Sequence, residues 1–577
     1  MTTAPPRRVS LVLRYVLRHR GSAIVMGGLL VASIALEVAE PQVAAYFIQR
    51  TQDRAALSTL TSIAELFLVV AVVQQATGVI ANYRSKKIAW TATNDLRADL
   101  ALHVLKLDVS FHEEHSPGEL IERIDGDINE MADFFSSFVV QVLGNVLLLL
   151  GVLVVLTLLN LWLGLSVIAV SVVGIVLLVL PSAAGARVWR ADRESNAQFS
   201  GYLVEAMQAR EDLRSSGAVG YAMARFHSIL RGWLPITVRA SGWGSTVWMA
   251  ATVMFTATSL VAYAFGGGLY HRGVLSLSEV YLAVAYATML ALPMEAIRGQ
   301  LQYFQQASAA LTRVTELMGI QSRLPDGHAS LPAGPLDVEF RDVTFAYRPS
   351  DDGSSAVLHD VGFRIPAGRT AGLAGRTGAG KTTVASLLFR RHDISAGTIT
   401  IGGAGIATVR LAELRAKIGY VSQDVQMFTA SVRDNITFFD PDVPDGHLLD
   451  ILDALKLRDW LTGLPDGLGT QISQASVSAG EAQLIALARV FLKDPGVVIL
   501  DEPSSRLDPA TESIVDAALS VLCEQRTTLV IAHRLNTIRR VGHLFVMERG
   551  RIVASGEPAA LLADQAKRMT ILAEASE

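Results

Sequence analysis

Apolar positions are spread unevenly along this chain. Between Asp133 and Arg187 no charged residue occurs, a run long enough for two helices of the roughly 20 residues that a bilayer core requires, with a turn expected near Asn160. Residues 66–81 and 241–270 supply two further apolar stretches. Two weaker ones, 23–49 and 280–294, carry or border charge: Glu37 and Glu40 in the first, Glu295 and Arg298 after the second. The pattern predicts six membrane spans. Residues 90–106, 118–135 and 191–226 keep helical spacing but with mixed charge, so spans two to five are expected to continue as helices outside the membrane. Ser116, Pro117 and Gly118 mark one of their tips. Residues 9–19, apolar at helical spacing with arginines interleaved, predict an amphipathic helix lying on membrane lipid.

Beyond a Pro- and Gly-containing linker at 324–335 the pattern becomes that of short strands and turns. The organisation read from this is an N-terminal cytosolic or interfacial helix (1–20), a helical transmembrane domain with long cytosolic links (21–318), a linker (319–335) and an α/β domain (336–577). In the last of these GRTGAGKTT, residues 375–383, follows an expected strand at 369–373 and precedes an expected helix at 383–389. That context makes it a P-loop, the signature of an α/β NTPase. Gly375, Gly378 and Gly380 let the backbone curl, so that amides of Arg376, Thr377 and Ala379 can face phosphate. Lys381 places a cation on the β- and γ-phosphates, Thr382 is positioned for Mg²⁺, and Thr383 opens the helix. A second element, VVILDE at 497–502, reads as a buried parallel strand ending in Asp501, a Mg²⁺ ligand, and Glu502, which orients or activates the attacking water.

These residues resemble the ATP-binding cassette (ABC) transporters of the exporter type, over nearly the whole chain. VSAGEAQLIALAR, residues 477–489, is similar to the family's signature and its helix. The resemblance implies that Ser478 and the Gly480 backbone bind the γ-phosphate of ATP held by the opposite subunit, with Glu481 beside them in the nucleotide-binding segment. It implies that Gln423, in YVSQDVQMF, touches Mg²⁺ and the membrane domain, and that His533, in IAHRL, contacts the γ-phosphate. SRLD, ending at Asp508, is similar to the loop exchanged between subunits, and Tyr347, in FAYRP, to the aromatic that stacks on adenine. Residues 111–128 and 203–218 resemble the two cytosolic links, whose tips are the family's coupling helices, seated in clefts on the ATPase domains. Three departures stand out: Val477 for the usual leucine, Glu481 where glutamine is commonest, and a shortened segment at 469–476 with Gln474 where a glutamate is usual.

The resemblance implies a half-transporter that needs a second copy or a different half-transporter as partner, and an alternating-access pump driven by ATP. Export is the expected direction; a same-fold importer, for example of siderophores, and an ATP-gated channel or sensor are the alternatives. The charged fraction of 18% and hydrophobic fraction of 51% match a chain half of which lies in a membrane, and a net charge of −4 gives no footing for nucleic acid. Cys523, the sole cysteine, forms no internal disulfide and suits a reducing compartment. No cleavable signal peptide is expected, since no small-residue cleavage site follows the first apolar run. Arg7, Arg8, Arg14, Arg18 and Arg20 before span one, Arg84, Lys86 and Lys87 after span two, and Arg187 and Arg190 after span four put those ends on the inside. The expectation is a multi-pass protein of a bacterial inner or cell membrane with a cytosolic ATPase. Glu37, Glu40, Gln74, Gln75, Glu295 and Arg298 are candidates for lining the path of a substrate whose identity the sequence leaves open.

Overall fold

The computed structural model describes residues 14–15, 17–347, 356–422, 424–501, 509–531 and 535–563. They form two compact units, Met1–Leu105 with Pro117–Ile320, and Lys106–Ser116 with Gln321–Glu577.

The described part of the first unit is helical. Helix α1 (Arg20–Gln52) turns at residues 53–56 into α2 (Leu57–Lys106). At 1.5 Å per residue α2 is about 75 Å long, well over the ~30 Å of a hydrocarbon core. The short helix α3 (Val109–Glu114) belongs to the second unit. The chain re-enters the first at Pro117 through a short helix (Pro117–Ile121) and a π-helical turn at Glu122–Gly126, then α4 (Asp127–Ser137), a second π turn at Phe138–Leu143, and α5 (Gly144–Leu159). Asn160 breaks the apolar run as its composition suggested: its side chain accepts from the amides of Trp162 and Leu163 at 3.1 and 3.2 Å, capping α6 (Leu161–Gln208). Then follow α7 (Arg210–Ser215), α8 (Val219–His271), α9 (Leu277–Met289) and α10 (Ala291–Gly319).

Among the described residues, Arg20–Gln52, Leu57–Lys106, Pro117–Leu159 and Val219–His271 are long and apolar enough to cross a membrane, and Leu161–Gly174 and Leu277–Met289 are shorter apolar helices. Four of the six expected spans fall on the long helices, and the other two overlap the shorter ones. Bulky apolar side chains such as Leu68, Val72 and Trp248 stand exposed on them, as a lipid-facing surface requires. Outside the spans, polar contacts set the packing. Asp192 of α6 accepts from Trp233 at 2.8 Å and Thr237 at 2.6 Å, both on α8. These bonds, Thr237's first, hold the Asp192 carboxyl below its usual range. Asp127 of α4, with only 3% of its side chain exposed, is paired with Arg313 of α10. Of the expected amphipathic helix, residues 9–13 and 16 lie outside the described residues; Tyr15 is buried and donates to Asp99 of α2 at 2.7 Å.

The second unit is α/β. Its strands are β1 (Val338–Phe345), β2 (Leu358–Ile365), β3 (Thr370–Ala374), β4 (Ala396–Ile401), β5 (Ala404–Gly405), β6 (Ile418–Val421), β7 (Ala430–Ser431), β8 (Gln471–Ile472), β9 (Val497–Asp501), β10 (Thr527–Ile531), β11 (His543–Glu548) and β12 (Arg551–Gly556). Six make one sheet, ordered β12-β11-β3-β10-β9-β6, parallel except at β11–β12. Strands β9 and β10 are buried along their whole length, as the interior of a parallel sheet covered on both faces demands. An antiparallel sheet, β2-β1-β4-β5, and a two-stranded β7-β8 ribbon complete the strands. The helices used below are α11 (Lys381–Leu388), α12 (Leu411–Lys417) and α13 (Ala479–Lys493). The linker packs into this unit: Leu331 and Leu336 join the core of Val338, Phe340 and Leu373.

Candidate nucleotide site

Strand β3 is held between β11 and β10 and delivers the chain to Gly375. A Cβ there would lie 2.1 Å from the carbonyl oxygen of Met547, so only glycine passes. Gly380, at φ 102°, is left-handed and starts α11. The helix therefore begins at Lys381, two residues earlier than expected from the sequence, and the strand sits one residue later. Lys381 is 5% exposed, and its ammonium donates to the carbonyls of Gly375 and, at 3.2 Å, Arg376. The amide of Ala379 closes the loop on the Arg376 carbonyl at 2.9 Å. Arg376, Thr377 and Gly378 are exposed. A loop wrapped on an ammonium at the start of a helix presents backbone amides and a positive dipole end, the requirements of a phosphate cradle. The two threonines separate by burial: Thr382 is exposed, whereas Thr383 is buried with its hydroxyl 3.2 Å from that of Tyr347. Tyr347 itself is half exposed, at the end of β1 beside the P-loop helix.

Asp501 stands at the C-terminal end of β9, two strands from β3 across β10, about 10 Å by the usual strand spacing. Both the P-loop and Asp501 thus lie along the carboxyl edge of the sheet, where α/β folds place ligands. Asp501 is 8% exposed and accepts from the hydroxyl of Tyr420, on β6, at 3.0 Å. Burial first, then the Asp501 charge and that hydrogen bond, push the Tyr420 phenol well above its ordinary range, so it remains a donor. Tyr420 was not singled out in the sequence, although its place three residues before Gln423 was a signal. Glu502, Asp508, His533 and Gln423 lie outside the described residues. The donor set suits Mg²⁺: a hydroxyl at Thr382 and a carboxylate at Asp501 are hard oxygens, and Mg²⁺ in phosphate sites takes only one or two protein ligands. The described residues hold no cluster of three His, Cys, Asp or Glu, and none is needed.

Helix α13 begins at the signature segment. Ser478 and Glu481 form a capping box: the serine hydroxyl accepts from the Glu481 amide at 3.3 Å, and the Glu481 carboxylate accepts from the Ser478 amide at 2.8 Å and hydroxyl at 2.9 Å. Trp460 adds a bond to the same carboxylate at 3.3 Å. Burial raises the Glu481 pKa, but the bonds from Ser478 and Trp460 outweigh it and leave the carboxyl below its usual range. Ser478 is exposed and Gly480 buried, so the segment offers a hydroxyl to the outside at a helix start. Gln474, though exposed, is tied to the neighbouring loop: it accepts from the Met427 amide at 2.8 Å and donates to the Val425 carbonyl at 3.3 Å. Gln483 of α13 bonds the Ser422 carbonyl at 3.1 Å, tying the signature helix to the strand that leads to Gln423.

Comparison with known proteins agrees with this geometry. The profile of the ABC transporter transmembrane region matches residues 23–294, and that of the ABC transporter ATPase matches 358–505. A multidrug resistance ABC transporter ATP-binding and permease protein of Lactococcus lactis is 31% identical over 480 residues, 82% of this chain and 80% of its own. A fatty acid ABC transporter ATP-binding/permease protein of Mycobacterium tuberculosis is 30% identical, covering 81% and 74%. An ATP-dependent lipid A-core flippase of Chromobacterium violaceum is 30% identical, covering 84% and 83%. Among solved structures, a bacterial Atm1-family ABC exporter with ATP bound shares the fold with a TM-score of 0.78 at 23% identity, over 97% of this chain and 99% of that one.

Proposed function

This chain belongs to the ABC transporters, as an integral membrane half-transporter with a fused ATPase, and on that premise we propose how its residues bind and hydrolyse ATP and what they move. The fused pair of domains makes it an ATP-driven exporter that works with a second half-transporter. The observation that carries the site is the P-loop: a buried Lys381 ringed by loop carbonyls at the start of α11, on the same sheet edge as Asp501. In this reading Tyr347 stacks on the base, the amides of residues 376–383 and Lys381 hold the phosphates, and Thr382, Gln423 and Asp501 hold Mg²⁺. A cation there would offset charge growing on the transferred phosphoryl oxygens. Glu502 orients water, and His533 and Asp508 complete the site. Ser478 and Gly480 meet the γ-phosphate bound by the other subunit.

The subunit is proposed to pair with itself, since both the phosphate-binding and the signature elements are present on one chain. Its place is a bacterial inner membrane with the ATPase inside, as the arginine-rich flanks suggest. Relatives named for multidrug resistance, fatty acid transport and lipid A-core flipping point to an amphipathic, membrane-soluble cargo. The decisive experiment is ATPase activity of the full chain in lipid nanodiscs beside Glu502→Gln. Activity that falls at least about 100-fold in the variant supports the reading. Equal activity in both overturns the role of Glu502, and none in a folded, ATP-binding sample overturns the self-pairing.

A further inference from the structure

One histidine joins two parts of the second unit that the nucleotide site alone does not connect. His392 follows α11 by four residues, and its side chain is 10% exposed. Its Nδ1 lies 3.1 Å from the Ser110 hydroxyl and its Nε2 3.9 Å from the Glu113 carboxylate. Both partners are on α3. In the tautomer with Ser110 donating to Nδ1, Nε2 carries the proton and faces Glu113. The other side of the ring meets aromatics: Tyr347 edge-on at 5.3 Å between centroids and 83°, and Phe345 at 5.7 Å. Phe345 and Tyr347 are themselves perpendicular at 4.9 Å.

Helix α3 is otherwise tethered at its start. Asp108 accepts from the Phe111 amide at 3.0 Å and from the Arg323 amide at 2.6 Å. Arg323 also reaches Glu114 at 3.4 Å. The two bonds to Arg323 run to the linker, and the Phe111 bond caps α3 itself. His392 connects α3 to the aromatic beside the P-loop. Two residues separate α3 from α2 on one side and two from the helix that begins at Pro117 on the other, so any shift of α3 is passed along the backbone.

We propose that His392 is a positioning residue that carries occupancy of the Tyr347 face to α3 through Ser110 and Glu113. The proposal rests on the reading that Tyr347 stacks on adenine. A base settling on Tyr347 fixes that ring. His392, packed edge-to-face against it in a nearly closed site, has little free volume in which to absorb a shift. Its two nitrogens therefore stiffen α3. The phosphates alone, held by residues 375–383, do not load this path. The chain thereby distinguishes a complete nucleotide from a bare polyphosphate before the signal reaches the membrane helices.

The test is hydrogen–deuterium exchange on the full chain in nanodiscs, with ATP and with inorganic triphosphate, in wild type, His392→Phe and His392→Ala. Far-UV melts confirm that each variant is folded. In wild type, ATP slows exchange in peptides spanning both 375–383 and 107–117, the latter at least about threefold; triphosphate slows only the first. His392→Phe keeps a ring against Tyr347 and loses both polar contacts. It keeps ATP affinity within about threefold and P-loop protection, and loses protection at 107–117; His392→Ala does the same with a larger loss of affinity. Protection of 107–117 that persists in either folded variant overturns the link, as does protection by triphosphate equal to that by ATP. No protection of 375–383 in wild type overturns the ATP reading itself, which distinguishes the two failures.

Discussion

Glu481 is where this chain sets a negative charge inside the segment proposed to meet phosphate. Its carboxylate bonds the Ser478 hydroxyl and amide at 2.9 and 2.8 Å, the groups assigned above to the γ-phosphate. Two effects oppose each other. A carboxylate at a helix start stabilises the helix by about 0.5 kcal/mol, while two charges some 4 Å apart repel by about 1 kcal/mol in water and more when screened less. Glu481→Gln keeps a capping side chain and removes the charge, so the KM for ATP should fall about three- to tenfold with little change in melting temperature. The Glu481 pKa is depressed, so the capping contribution is present above the unfolded value and is lost as pH falls through the folded one. Between pH 6 and 8 the difference in KM between wild type and variant should therefore be flat. An unchanged KM would remove Ser478 from the phosphate. Tyr420 offers a second test. Its hydroxyl is a fixed donor to Asp501 at 3.0 Å, and Tyr420→Phe takes away that orienting bond without opening space. The Mg²⁺ concentration for half-maximal ATPase should rise about tenfold, the scale of outer-sphere partners; a superimposable Mg²⁺ titration would refute the assignment of Asp501.

Elements were legible wherever one physical signal dominated. The uncharged run from Phe134 to Ala186 and the breaker Asn160 gave two helices in their places, and the glycines of the P-loop gave a strand, a loop and a helix within two residues. The π turns at Glu122–Gly126 and Phe138–Leu143 left no trace, because a single extra residue in a helical turn does not break apolar periodicity. Long-range partners were equally silent: that Tyr420 meets Asp501, or His392 meets Ser110, follows from strand order and chain crossing rather than local pattern. The same holds for Asp127 and Arg313, 186 residues apart. With Asp127 buried and Arg313 partly exposed, Arg313→Gln leaves an unneutralised carboxylate and should destabilise the helical unit by about 3 kcal/mol. The double variant Asp127→Asn, Arg313→Gln should recover more than half of that, read by thermal unfolding in one nanodisc lipid. Equal losses in the single and double variants would show that the pair contributes packing rather than charge neutralisation.

Across the whole molecule, the elements of the proposed site differ in whether they face outward. Lys381 is enclosed within its own loop, while Ser478 is exposed at the head of α13, as the proposed sharing of each site between two chains requires. If two copies pair about a two-fold axis, each nucleotide is held by the P-loop of one and the signature of the other. This makes complementation a sharp test. Lys381→Ala spoils phosphate binding and Ser478→Ala spoils the signature, so either variant alone should have almost no ATPase. In a mixed pair one site collects both defects and the other collects neither. Half the pairs formed at random are mixed, and each has one of two sites intact, so an equimolar co-reconstitution should regain roughly a quarter of wild-type activity. Were each site built within one chain, every chain in the mixture would still carry a defect and nothing would return. Recovery would place the nucleotide between subunits, while an inactive mixture of two chains that each bind their partner would exclude independent shared sites.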